Sequence, residues 1–102
     1  ENAIKRQCWD TARLYGLEDR GIIAPGYLAD LNVIDMARLK LGKPWLAFDL
    51  PAGGKRLLQR AEGYVCTIKN GHVTFREGKW TCETPGGLIR GPQRAEMAEA
   101  AE

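Results

Sequence analysis

Apolar and polar positions divide this chain into regions of different period. Ala3, Ile4, Cys8, Trp9, Ala12 and Tyr15 recur at three- and four-residue steps, which predicts an amphipathic helix over 3–17. Asp10 and Thr11 favour cap positions, so a break and restart is expected there. Gly16 supplies a C-terminal stop. The period then changes within "GIIAPGYLADLNVID" (21–35). Gly21 to Ile23 reads as a short extended piece. Pro25 and Gly26 suit the central positions of a type II turn, Pro by its fixed φ and Gly by its tolerance of positive φ. Leu31 to Ile34 then forms a strand of branched apolar side chains, bracketed by Asp30 and Asp35. Residues 36–62 hold two prolines and a Gly-Gly pair, which predicts a long excursion with a short helical turn over 55–61.

The sharpest local signal is "YVCTIKNGHVTF" (64–75). Asn70-Gly71 is the preferred pair for a two-residue type I′ hairpin turn. An unbroken ladder from that turn sets Lys69 opposite His72, Ile68 opposite Val73, Thr67 opposite Thr74 and Cys66 opposite Phe75. Alternation then places Tyr64, Cys66, Ile68, Val73 and Phe75 on a core face, with Val65, Thr67, Lys69, His72, Thr74 and Arg76 on the other. A further turn at Glu77-Gly78-Lys79 leads into a short strand over 80–82. Beyond Pro85 the chain is punctuated by Gly and Pro. Residues 94–102 favour helix but have almost no apolar face, and are expected to be a frayed helix or flexible tail.

A chain of 102 residues is the size of one domain, with one modest core. Apolar residues at 44%, charged residues at 27% and a net charge of +2 are ordinary for a soluble protein. This balance does not call for nucleic acid or membrane as a partner. There is no apolar run near the 18 residues that a spanning helix needs, and no signal-like start, so a cytoplasmic setting is expected. The first residue is Glu1 rather than Met, which fits a processed chain or a piece of something larger.

Candidate chemistry is sparse. His72 is the single histidine, and its expected neighbours Lys69, Thr74 and Arg76 repel a cation, so no metal is expected on it. Cys8, Cys66 and Cys82 form no CxxC pair. Cys8 and Cys66 read as small buried hydrophobes and Cys82 as an exposed thiol, and none has a base nearby in sequence to activate it. Asp30 and Asp35 fall on opposite strand faces, and Asp30 is expected to close its turn by accepting backbone N–H bonds. "PAGGKRLLQR" lacks P-loop spacing, but Gly53, Gly54, Lys55 and Arg56 form a possible anion-binding loop. A small enzyme using Cys82 ranks last among the readings.

Taken together, "GLEDRGIIAPGYLADLNVID" and "EGYVCTIKNGHVTFREGKWTCETPGGLIRG" resemble the C-terminal part of the amidohydrolase superfamily, with the nearest likeness to the N-acyl-D-amino-acid deacylases, or D-aminoacylases. The likeness is carried by Thr11-Ala12-Arg13 leading to Gly16-Leu17 and Gly21, by Pro25-Gly26 ahead of Ala29-Asp30-Leu31, and by Asn70-Gly71 with Gly78 and Pro85-Gly86 after it. "LPAGGKRLLQRAEGY" is similar to the deacylase branch. The likeness spans 9–93. It implies metal-assisted amide hydrolysis in a barrel, beside a small β-sandwich built from both chain ends. Lys69 stands where such enzymes usually carry an apolar residue.

The resemblance implies a mainly-β chain with an N-terminal helix, forming a partial β-sandwich. Residues 1–17 would be the last barrel helix, 18–93 the partial sandwich and 94–102 the tail. No catalytic, metal or cofactor residue of such enzymes has a counterpart here, and zinc is expected only in the family's barrel. Pro25, Gly26, Asn70 and Gly71 are structural turns. The chain alone is expected to be inactive. Its expected partner is the catalytic barrel of a parent enzyme or, if it stands alone, a second copy in a homodimer. The alternative is a stand-alone binding or regulatory module for an anionic ligand.

Overall fold

A computed structural model of the chain describes residues 1–95. The frayed helix or tail expected over 94–102 lies, from residue 96 onward, outside the described residues. The fold is mainly β with an N-terminal helix, and every strand pair is antiparallel.

Helix α1 covers 2–14 in three continuous pieces, Asn2–Lys5, Arg6–Asp10 and Thr11–Leu14. The expected break at Asp10 is absent, because Asp10 keeps helical dihedrals and binds Lys5 at 2.9 Å. Instead the middle piece widens to a π-type turn, and the Thr11 hydroxyl donates to the Arg6 carbonyl at 2.9 Å. A residue added within one turn rotates the following face, so the expected stripe does not stay in register. Only Ala12 of that stripe is buried, with Trp9 partly so, while Ile4 and Tyr15 are exposed. The stop comes where Gly16 predicts it. Gly16 has φ +71°, the Leu17 N–H reaches the Ala12 carbonyl at 2.8 Å, and the Gly16 N–H reaches the Arg13 carbonyl at 3.1 Å. These two bonds are a Schellman cap.

Gly21 and Ile22 form a bend and Ile23 is irregular, so the expected extended piece is absent. The turn at Pro25-Gly26 forms as expected, with Gly26 at φ +82° and the Tyr27 N–H donating to the Ala24 carbonyl at 3.3 Å. The strands are β1 (Leu31–Ile34), β2 (Lys40–Leu41), β3 (Trp45–Ala47), β4 (Arg56–Leu58), β5 (Ala61–Glu62), β6 (Tyr64–Lys69), β7 (His72–Arg76) and β8 (Lys79–Trp80). One four-stranded sheet has the order β1-β6-β7-β8.

The hairpin turns where the Asn-Gly pair places it. Asn70 has φ +51° and Gly71 φ +80°, the dihedral signs of a type I′ turn, and Lys69 pairs with His72 and Ile68 with Val73. Two pairs further from the turn, the expected register fails. Thr67 pairs with Phe75 and Cys66 with Arg76, because a β-bulge leaves Thr74 as an extra residue on β7. The Thr74 hydroxyl donates to the Thr67 carbonyl at 3.2 Å, so a bonded side chain accompanies the distorted ladder. The slip moves Phe75 off the expected core face, and Tyr64 and Phe75 are both exposed. A second two-residue turn at Glu77 and Gly78, both with positive φ, leads into β8.

The 36–62 excursion is more regular than its composition implies. It is a β arm in which β2 pairs with β5 and β3 with β4. The expected helical turn over 55–61 is absent, and Arg56–Leu58 is strand, because the cross-strand pairs Trp45–Leu58 and Leu46–Leu57 hold it extended. A 3-10 turn at Pro51–Gly53 forms the tip. Gly63 returns the arm against the chain at φ +98°, where a Cβ would lie 2.7 Å from Leu39 Cα.

The Cα radius of gyration is 16.8 Å, against about 13 Å for a compact chain of this length. Ala12 and Asp19 are the only buried residues among those described. Leu41, Leu46, Phe48 and Leu57 on the arm are exposed, as are Leu14 and Ile23 beside the helix. No helix among the described residues is long and apolar enough to cross a membrane.

Candidate functional site

The densest polar constellation joins three segments that are distant in sequence. Asp19 follows the helix cap and is buried. It accepts two bonds from Arg20, Nε to Oδ1 at 2.9 Å and Nη2 to Oδ2 at 3.1 Å. The bonds from Arg20 hold the Asp19 carboxyl below its ordinary value, against the opposing effect of burial. Arg20 also lies 3.7 Å from Asp30, and its own pKa is raised, first by its bonds to Asp19. Asp30 ends the Pro-Gly segment. Both its oxygens receive Lys69 Nζ, at 3.0 and 2.9 Å, and Oδ1 also accepts the Asn70 N–H at 2.8 Å. Partial burial works to raise the Asp30 pKa, but the Lys69 and Asn70 bonds outweigh it and the net direction is down.

Asp30 does accept a backbone N–H, but from the hairpin tip rather than from its own turn. Next to it, the Ala29 carbonyl accepts the Gly71 N–H at 3.0 Å. The Ala29-Asp30 pair and the Asn70-Gly71 pair, read separately in the sequence, thus form one joint. Asp35 is the aspartate that closes a local turn. It accepts the Ala37 N–H at 3.0 Å and Arg38 Nε at 2.8 Å.

Sequence reasoning missed Asp19 and Arg20, since an adjacent Asp-Arg pair gives no sign that a distant lysine and turn will meet it. It also missed Arg13. That guanidinium lies 4.0 Å over the Trp9 ring and donates to the Tyr27 hydroxyl at 3.2 Å. The four-residue step from Trp9 to Arg13 was a usable signal, because such pairs share a helix face.

The Gly53, Gly54, Lys55 and Arg56 loop lies at the arm tip. Arg56 is held by Asp49 in a bidentate pair, 2.8 and 2.6 Å, and the Gly54 N–H donates to the Pro51 carbonyl at 3.2 Å. Lys55 makes no ion pair among the described residues. The loop thus presents one free cation and an already neutralised arginine. A groove of about 670 Å³ runs between the arm base and the sheet, past Arg38, Lys40, Glu62, Tyr64 and Glu77. Arg38 is engaged by Asp35 at 2.8 Å and Glu77 at 3.6 Å, and Lys40 faces Glu62 across the arm. Its charges are balanced from within.

The residues present do not fit a hydrolytic metal centre. His72 is exposed and pairs across the strand with Lys69. Asp19, Asp30, Asp35 and Asp49 all accept bonds from cationic side chains. No group of three His, Cys, Asp or Glu is placed to hold a metal among the described residues. Cys8 is exposed, against the expectation of a small buried hydrophobe, Cys66 is half-buried, and Cys82 is exposed at φ +69°.

Comparison with curated proteins gives no match, and comparison with solved structures gives none. The model of the amidohydrolase family, in contrast, matches residues 1–75. That span runs through the helix, the Asp19–Arg20–Asp30 cluster, the arm and the hairpin as far as Phe75. With 75 of 102 residues inside the match, and with the helix, Pro-Gly segment and hairpin joined as one unit, the chain belongs to the amidohydrolase family.

Proposed function

We propose that this chain is a non-catalytic structural module, corresponding to the C-terminal part of a metal-dependent N-acyl-D-amino-acid deacylase. The observation that carries the reading is the distribution of its apolar surface. Ala12 is the one buried apolar side chain among the described residues, while Ile4, Ile23, Leu46, Phe48 and Leu57 are exposed on the helix, the turn and the arm. Apolar area left in water contributes nothing to stability, and extended exposed patches mark interfaces. The partner proposed for this surface is the catalytic barrel of the parent enzyme, and the hydrolytic zinc belongs to that barrel. Within this reading the helix is the last barrel helix and 18–93 a partial sandwich. If the chain stands alone, a homodimer takes the barrel's place.

The deacylase assignment rests on the "LPAGGKRLLQRAEGY" segment, whose Leu50-to-Leu58 part forms the arm tip and β4. The test is reconstitution with a separately produced zinc-loaded deacylase barrel lacking its own C-terminal part. The chain alone is expected to give no turnover of N-acyl-D-amino acids. Added to the barrel, it is expected to bind and to raise soluble, active enzyme. Turnover by the chain alone that disappears in His72→Ala would overturn the proposal, as would failure to bind the barrel.

A further inference from the structure

We infer that Lys69 and Asp30 form a charge-operated latch that fastens the tip of the β6–β7 hairpin to the segment leading from the helix. The latch lies outside the surface assigned to the barrel, and its test is independent of that reading. Its geometry is specific. Lys69 Nζ spans both Asp30 oxygens at 3.0 and 2.9 Å, the Asn70 N–H meets one of them at 2.8 Å, and Arg20 lies 3.7 Å from the other. The Gly71 N–H then reaches the Ala29 carbonyl at 3.0 Å. These contacts join residues 39 and 40 positions apart in the chain.

A latch must open without dismantling what it fastens, and the hairpin permits this. Asn70-Gly71 is a self-sufficient type I′ turn, and the Ile68–Val73 and Lys69–His72 pairs behind it do not depend on Asp30. The joint also has no fully buried apolar contact to hold it shut, since the two buried residues among those described, Ala12 and Asp19, lie on the helix side. What holds the tip beyond the first β1–β6 rung at Leu31–Ile68 is the Gly71–Ala29 backbone bond and the charged contacts of Asp30. Asp19, Arg20, Asp30 and Lys69 balance as two acids and two bases. Removing Lys69 leaves an excess negative charge on a carboxylate whose side chain is 26% exposed, a position that water compensates only in part. The Lys69 side chain is 35% exposed, so dissolved salt reaches the pair and screens it. His72, opposite Lys69 on β7, is exposed and adds no competing anion.

Amide hydrogen exchange on the full 102-residue chain, read residue by residue by NMR, tests the latch. In Lys69→Met the Asn70 and Gly71 amides are expected to exchange about tenfold faster, the size of losing a partly exposed charge-assisted bond. The β6–β7 ladder amides are expected to stay within about twofold. Raising NaCl to about 1 M should move the unaltered chain in the same direction and leave Lys69→Met unmoved. Uniform acceleration through β6 and β7, or equal salt response in both proteins, overturns the inference. Should Lys69→Met fail to fold, the salt series on the unaltered chain decides alone. Selective loss of protection at Asn70 and Gly71 supports the latch, and unchanged protection there refutes it.

Discussion

Replacing Gly21 by alanine tests whether the helix is seated against the turn that follows it. Gly21 sits at φ +94°, and a Cβ there would lie 2.8 Å from the Cys8 carbonyl oxygen and 2.9 Å from the Ala12 Cβ. Neither neighbour can swing away, because one is backbone and the other is the Cβ of Ala12, the one buried apolar side chain among the described residues. Two costs therefore add. The left-handed backbone costs an alanine about 1–2 kcal/mol, and forcing atoms into an occupied space costs about 1–3 kcal/mol. The lower backbone entropy of the unfolded alanine chain returns about 0.5 kcal/mol. The net is a loss of about 3 kcal/mol, a large part of the roughly 5–15 kcal/mol that holds a typical domain. Gly53→Ala supplies the control. Gly53 has φ +70° but nothing within 4 Å of the added Cβ, so only the backbone cost of about 1 kcal/mol applies. Urea unfolding followed by helical circular dichroism measures both. A Gly21→Ala loss about 2 kcal/mol beyond Gly53→Ala is the expected outcome. Equal losses would mean that the helix does not lie against Gly21, and the placement of α1 would have to be abandoned.

Further outcomes follow from the same geometry. Gly63→Ala, whose Cβ would meet the Leu39 backbone at 2.7 Å, should lose about as much as Gly21→Ala and free the arm amides first in hydrogen exchange. Asp19 and Asp30 are held below the ordinary aspartate value of 3.8, so the unfolded chain binds more protons than the folded one as pH falls. Their stabilisation is thus present above about pH 4 and drains away as pH drops through the lowered values. Urea midpoints should fall steeply there, and Asp19→Asn should flatten the slope. Asp49→Asn should release Arg56 from its 2.6 Å partner and increase salt-sensitive phosphate binding at the arm tip, measured by calorimetry. No increase would count against the anionic-ligand alternative.

The local turns were legible because a residue's own backbone preference decides them. Gly16 ended the helix, Pro25-Gly26 reversed the chain, and Asn70-Gly71 set the first two pairs of the hairpin. Each needs only a fixed φ or a tolerance of positive φ. The mainly-β class with one N-terminal helix was legible for a related reason, since period 3.6 and period 2 are written in the order of apolar residues. The reading failed where one residue too many had to be absorbed. The π-type turn in α1 and the bulge at Thr74 each shift a face by one position, and alternation has no term for an insertion. Residues 55–61 read as helix in isolation, yet strand pairing with 40–47 holds most of them extended. The joint of Asp19, Arg20, Asp30 and Lys69 was the least visible. The sequence by itself determined which turns form and how the apolar periods run, because those are properties of neighbours along the chain. Only the tertiary structure decided which charges meet, because an ion pair across 39 residues depends on where two independently formed turns come to rest.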